Sequence, residues 1–179
     1  IQAADSASPD APKRFSMVAY TGGPMRISGY YEPVVVDLAG LKAEAPFPIL
    51  RDHDLGSIVG HADEAEVAAN VKVSGVISGA GAAALEVLGS AKQGFPWKAS
   101  IGAMPMEGGL EYVREGASTK VNGKTLKGPL TIARKATLRE VSFVAVGADG
   151  RTSVKVAATA ANHKESDMDE QLREWIEAM

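Results

Sequence analysis

The sequence predicts a mainly β domain with some helix, an α+β protein built as a closed barrel of mostly antiparallel strands. Three observations carry that expectation. Short β-branched and aromatic runs recur along the chain, Gly, Pro and Asn-Gly signals separate them, and only one internal segment has helical character. In an open sheet so many short strands would leave exposed edges, and closing the sheet on itself removes them.

Residues 1–14 are Ala, Ser, Asp and Pro with few large apolar groups, the composition of a disordered tail. Order is expected from Phe15. Residues 15–21 and 25–31 read as two strands joined at Gly22-Gly23-Pro24, and Val34-Val35-Val36 as a third. Residues 46–50 lead into the polar cluster Arg51-Asp52-His53-Asp54, and strands are expected again at 57–61 and 71–77. Residues 80–92 are Ala-rich, place Leu85 and Leu88 three apart and stop before Gly94, which predicts a helix. Beyond Phe95-Pro96 the β pattern resumes at 97–106, 110–114, 130–133, 138–146 and 153–157, with Asn122-Gly123 as a hairpin turn. The ordered domain is therefore expected over 15–157, followed by a small polar linker at 158–166. A last helix is expected over 167–179, where Met168, Leu172, Trp175, Ile176 and Met179 make one apolar stripe.

Composition narrows the function. The 179 residues carry a net charge of −3 with no dense Lys/Arg block, which disfavours binding to a nucleic-acid backbone. There is no cysteine, so disulfides, thiolate metal sites and a cysteine nucleophile are excluded. No apolar run approaches the ~20 residues that span a bilayer, and the first residues lack the basic and apolar regions of a signal peptide.

His53, His61 and His163 are the three histidines available to move protons near neutral pH. His163 falls in the polar linker, where it is expected to face solvent. His53 ends an apolar run between Asp52 and Asp54; it either caps a strand through those neighbours or is held by them as a base. Around Ser100, strand alternation puts Trp97, Ala99 and Ile101 on one face and Lys98, Ser100 and Gly102 on the other. The missing side chain of Gly102 would let a peptide come close. A serine in a strand is ordinarily structural, and it becomes a nucleophile only beside a base. In 138–146, Glu140 and Ser142 share the face opposite Val141, Phe143 and Ala145. A carboxylate in such a strand needs a partner. An imidazole, Arg51, Arg134, Arg151 or water at a sheet edge would each serve.

Taken together, Asp52-His53-Asp54 with Val59-Gly60 behind it, Ala99-Ser100-Ile101-Gly102 and Leu138-Arg139-Glu140-Val141-Ser142 resemble the prohead proteases of tailed phages, which are similar to the herpesvirus assemblins. The order histidine, serine, acid matches, and the resemblance spans 15–157. It implies a barrel wrapped by helices, with Ser100 as nucleophile, His53 as base and Glu140 as the orienting acid. It also implies oxyanion or substrate contacts near Gly102, Gly147 and Ala148. The chain departs from the assemblins in having Glu140 where they carry a second histidine. Ala148-Asp149-Gly150-Arg151 stands where they place oxyanion-hole arginines, and Ala103 where many phage relatives have a bulky residue.

The implied activity is a serine endoprotease of capsid maturation, needing no metal or organic cofactor. It would act inside the assembling prohead in the host cytoplasm, as a homo-oligomer. Its substrates would be the scaffold protein, an extension of the major capsid protein and its own tails, with no nucleic-acid or membrane partner. Two rivals stand beside it. One is a metal-dependent hydrolase using Asp52, His53, Asp54, His61, Asp63 and Glu64. The other is a non-enzymatic shell or scaffold component that kept the fold and lost turnover.

Overall fold

The computed structural model describes residues 13–157; residues 1–12 of the expected tail, the linker and the expected last helix lie outside the described residues, while Lys13 and Arg14, expected in the tail, pair with Ile77 and Val76 in the first strand. The first half contains β1 (Lys13–Tyr20), β2 (Val34–Val36), a 3-10 turn (Leu38–Gly40), β3 (Leu41–Lys42), β4 (Phe47–Arg51), β5 (Asp54–Val67) and β6 (Val71–Ile77). After α1 (Ala82–Lys92) come β7 (Lys98–Pro105), β8 (Leu110–Val113), β9 (Ser118–Val121), β10 (Lys124–Lys127), β11 (Leu130–Ala133), β12 (Ala136–Val144) and β13 (Ser153–Val156).

Alternation decides which way these strands face. In β1, Phe15, Met17 and Ala19 point into the core, and in β6 Val71, Val73 and Ile77 do the same. The large sheet runs β13–β1–β6–β5–β4–β12, and β12 pairs further with β3 and β7. Val141–Phe143 of β12 pair in parallel with Ile49–Arg51 of β4, and the same residues pair antiparallel with β7. Strands β4 and β7 therefore lie on opposite edges of β12, which leaves β13 and β7 as the two ends of the sheet.

Those ends are not joined by a ladder among the described residues, so the expected closed barrel is corrected to an open sheet. The physical reason sits at Thr152. The Ala99 N–H of β7 donates to Thr152 Oγ1 at 3.2 Å and Lys98 Nζ donates to Thr152 O at 3.1 Å. Side-chain bonds ahead of β13 thus engage the edge of β7 where strand pairing would have closed the barrel. The expectation of several wrapping helices is corrected too, since α1 is the one α-helix among the described residues. It buries Ala84 and Val87 and leaves Leu85 exposed, so the Leu85/Leu88 pair is not its buried stripe.

Two smaller sheets complete the fold: β2–β11–β8, and the β9–β10 hairpin turned by Asn122 and Gly123 at φ 50° and 72°. The strand expected at 25–31 is absent. Met25 forms a single bridge to Val34, and the chain then turns at Gly29, with φ 88°, where the Tyr30 N–H bonds Ile27 O at 3.1 Å. A positive φ at that point breaks the extended path.

The centre of the core is aromatic. Phe143 is fully buried, with Phe15 at 5.9 Å and 73° and Trp97 at 6.0 Å and 89°, both edge-to-face. Beside it, β12 carries a bulge: Leu138 pairs Ala103 while Glu140 pairs Gly102, so two steps on β12 match one on β7. The extra residue, Arg139, is exposed. Ala136 and Leu138 face the core before the bulge, and Val141 and Phe143 after it, while Glu140 and Ser142 turn to the opposite face. Phe143→Ala is expected to remove about 3–5 kcal/mol of stability, read as a lower urea midpoint at unchanged slope.

Candidate active site

Arg51 and Asp54 pair across the β4–β5 hairpin and leave a two-residue loop, Asp52-His53. A two-residue loop of the I′ type needs positive φ at both positions and ordinarily takes Asn-Gly. Here φ is 53° at Asp52 and 59° at His53. Left-handed backbone costs an L-residue roughly 1–2 kcal/mol, and bonds from β12 offset it. The Asp52 N–H donates to Phe143 O at 3.0 Å and the His53 N–H donates to Ser142 Oγ at 3.0 Å. Arg51 adds ion pairs to Asp52 and to Glu86 of α1.

The loop sets the imidazole between β7 and β12. His53 Nε2 lies 2.9 Å from Ser100 Oγ, and His53 Nδ1 lies 2.7 Å from Glu140 Oε1. Ser100 and Ser142 are direct partners across the β7–β12 ladder, as are Gly102 and Glu140. All four therefore share one face, the face that alternation assigns to Ser100 and to Glu140. The other carboxylate oxygen, Glu140 Oε2, accepts from the Ser142 hydroxyl at 2.7 Å. Neither Asp52 nor Asp54 holds the ring: Asp52 binds Arg51, and Asp54 caps Gly56 and Ser57. The arginines also go elsewhere, Arg134 to Asp37 and Glu111 and Arg151 to Asp149, which leaves the imidazole as the partner of Glu140.

The bond from Glu140 pushes the His53 pKa above its ordinary value; burial works against this, and the Glu140 and Asp52 charges assist it. The Nδ1–H that Glu140 accepts selects the tautomer with a free lone pair on Nε2, directed at Ser100. Serine, imidazole and carboxylate so arranged can pass a proton from Oγ to Nε2 while the carboxylate stabilises the imidazolium.

Gly102 lines the groove beside Ser100, and it also makes room for the acid. A Cβ there would collide with the Glu140 carboxylate, so the missing side chain makes the space that the acid occupies. Ser100 and His53 open onto a groove of about 680 Å³. Its walls are largely apolar, with Ile27, Tyr30, Val34, Leu110, Val144 and Val146 among them. Gly147 and Ala148 line the same groove, and their N–H groups donate to no acceptor among the described residues.

Sequence reasoning missed what fixes that last loop. Asp149 is buried, and its Oδ2 accepts the Thr21 N–H at 2.8 Å and the Thr21 hydroxyl at 2.6 Å. Burial alone would raise its pKa, but these bonds, the Arg151 N–H and the Arg151 charge together hold it below the usual carboxylate range. The signal for Asp149 in the sequence was slight, a single acid between small residues. Ser142 had a clearer one, two residues from Glu140 on the same face.

His61 lies outside the site, bonded to Ser78 at 2.9 Å and near Asp63 at 3.3 Å. Among the described residues no three His, Asp or Glu side chains are grouped to hold a metal ion, so the His53/His61 metal cluster does not form.

No protein-family model matches the sequence, and no curated protein does. Among solved structures, the chain is similar to the protease of the herpesvirus KSHV crystallised with a hexapeptide phosphonate inhibitor. The identity is 15%, over 90% of this chain and 75% of that one, at a TM-score of 0.46.

Gly102→Ala is expected to displace the Glu140 carboxylate, costing about 1–3 kcal/mol as over-packing and slowing reaction at Ser100. Thermal unfolding and the rate of fluorophosphonate labelling, measured on one preparation, check both effects.

Proposed function

We propose that this chain is a serine endopeptidase in which Ser100 attacks, His53 is the general base and Glu140 orients and stabilises His53. One observation carries the proposal: the continuous path Glu140 Oε1–His53 Nδ1, His53 Nε2–Ser100 Oγ, at 2.7 and 2.9 Å, opening on an apolar groove. As Oγ bonds to the peptide carbonyl carbon, its proton moves to Nε2, and the carbonyl oxygen becomes an oxyanion. The Gly147 and Ala148 N–H groups are the donors offered to that oxyanion; one such donor typically contributes about 3–4 kcal/mol to the transition state. The imidazolium returns the proton to the leaving amine, and water repeats the sequence on the acyl-enzyme.

The setting proposed for this activity is capsid maturation of the tailed-phage kind, inside the prohead. The substrates are the scaffold, the capsid-protein extension and the chain's own tails, and the protease is a homo-oligomer. The three motifs in their order, histidine, serine and acid, support that setting. The presence of all three side chains in hydrogen-bonded contact favours an active protease over an inert shell component.

Ser100→Ala is expected to abolish both scaffold cleavage and fluorophosphonate labelling while leaving the melting curve unchanged; cleavage that persists would remove Ser100 from the mechanism. The raised pKa of His53 fixes the pH dependence. Its charged pair with Glu140 adds stability below the ordinary histidine pKa of about 6.5 and loses it as pH rises through the folded value. Catalysis needs the neutral ring, so kcat/KM should rise along an acid limb lying above about 6.5. Glu140→Gln should move that limb to lower pH and leave residual activity, whereas His53→Ala should leave far less. A limb that stays in place in Glu140→Gln would separate Glu140 from the titration.

A further inference from the structure

Ser142 does not line the groove, yet it is bonded to two members of the site at once. We infer that Ser142 is a positioning residue that holds the Glu140–His53 pair in its reactive arrangement; the inference rests on the serine-peptidase reading above. Its side chain is fully buried, and a buried hydroxyl is costly unless its bonds are made. Both go to the site: the hydroxyl donates to Glu140 Oε2 at 2.7 Å and accepts the His53 N–H at 3.0 Å.

The two bonds act on different degrees of freedom. The terminal torsion of a glutamate is broad and two-fold, so bonding one oxygen leaves rotation about it soft. Ser142 on Oε2, with the space above Gly102, leaves Oε1 the oxygen that faces His53. At the other end, His53 has left-handed backbone in a two-residue loop, and Ser142 accepts the N–H of that strained residue. One hydroxyl thereby sets both ends of the Glu140–His53 bond.

An alanine would leave a carboxylate oxygen without its donor and the His53 N–H without its acceptor. A small displacement of a catalytic group is enough to slow reaction on the order of 10²-fold.

The test is fluorophosphonate labelling of the full chain, since it reads Ser100 reactivity without a known peptide substrate. Relative to wild type, Ser142→Ala should lower the maximal labelling rate roughly 10- to 100-fold with the half-saturating probe concentration unchanged. Ser142→Thr, which keeps the hydroxyl, should recover most of the rate. The low-field proton resonance of the His53–Glu140 bond should be lost or shifted in Ser142→Ala and retained in Ser142→Thr. Wild-type labelling and an unmoved resonance in Ser142→Ala would overturn the inference and leave the peptidase reading intact. A rate loss shared equally by both variants and matched by a lower melting temperature would also overturn it, by assigning Ser142 to packing. Labelling of Ser100→Ala at the wild-type rate, or none of wild type, would instead sink the peptidase reading and the inference with it.

Discussion

Strand β12 must satisfy an apolar core on one face and a polar site on the other, and the bulge at Arg139 is what lets it do both. From Val141 to Phe143 it is paired along both edges and buried throughout. Strands in that position are usually continuous apolar runs, so Glu140 and Ser142 are tolerated only because each is bonded. Leu138 and Val141 lie three apart and still reach the same core, because the extra residue shifts the alternation by one. Without that shift, Leu138 would stand on the face of Glu140, against the histidine loop.

The rest of the site follows from that face. Strand β7 lies antiparallel to β12, so Ser100 is aligned with Ser142 and Gly102 with Glu140. Strand β4 lies parallel on the other edge and delivers the Asp52-His53 loop back over the same residues. Three segments distant in sequence thus converge through backbone ladders, which are stiffer than the side chains they carry. Among the described residues no buried side-chain nitrogen or oxygen lacks a partner. A polar cluster beside an apolar groove is tolerable on that condition.

The electrostatics set stability and chemistry against each other. The interaction with Glu140 favours the imidazolium, which the proposed reaction would form transiently but could not start from. In that proposal the carboxylate serves the developing charge more than the resting base. The groove loop is held separately. Asp149 ties residues 149–151 to Thr21, just beyond the end of β1.

Much of the local structure is legible in the sequence because its causes are local. Alternation around Ser100 and Glu140 assigns each to a face, the Asn122-Gly123 pair makes its hairpin, and the Ala-rich run makes α1. Turn chemistry also explains the miss at 25–31, where Gly29 bends a segment whose side chains look extended. The resemblance of three short motifs names Ser100, His53 and Glu140 as one site. What the sequence could not carry is whatever depends on strands meeting at a distance. Whether β13 and β7 close a barrel is decided by a Thr152 side chain at the edge of β7, and a pattern of strands is the same for an open sheet as for a closed one. The flanking Asp52 and Asp54 looked like the partners of His53, yet left-handed backbone at positions 52 and 53 turns the ring away from them, toward Glu140. Gly102 and Ser142 likewise acquire their roles from ladder register alone. Propensity and alternation act over a few residues, whereas register between β12, β7 and β4 is set by packing the whole core, so only the tertiary structure could decide it.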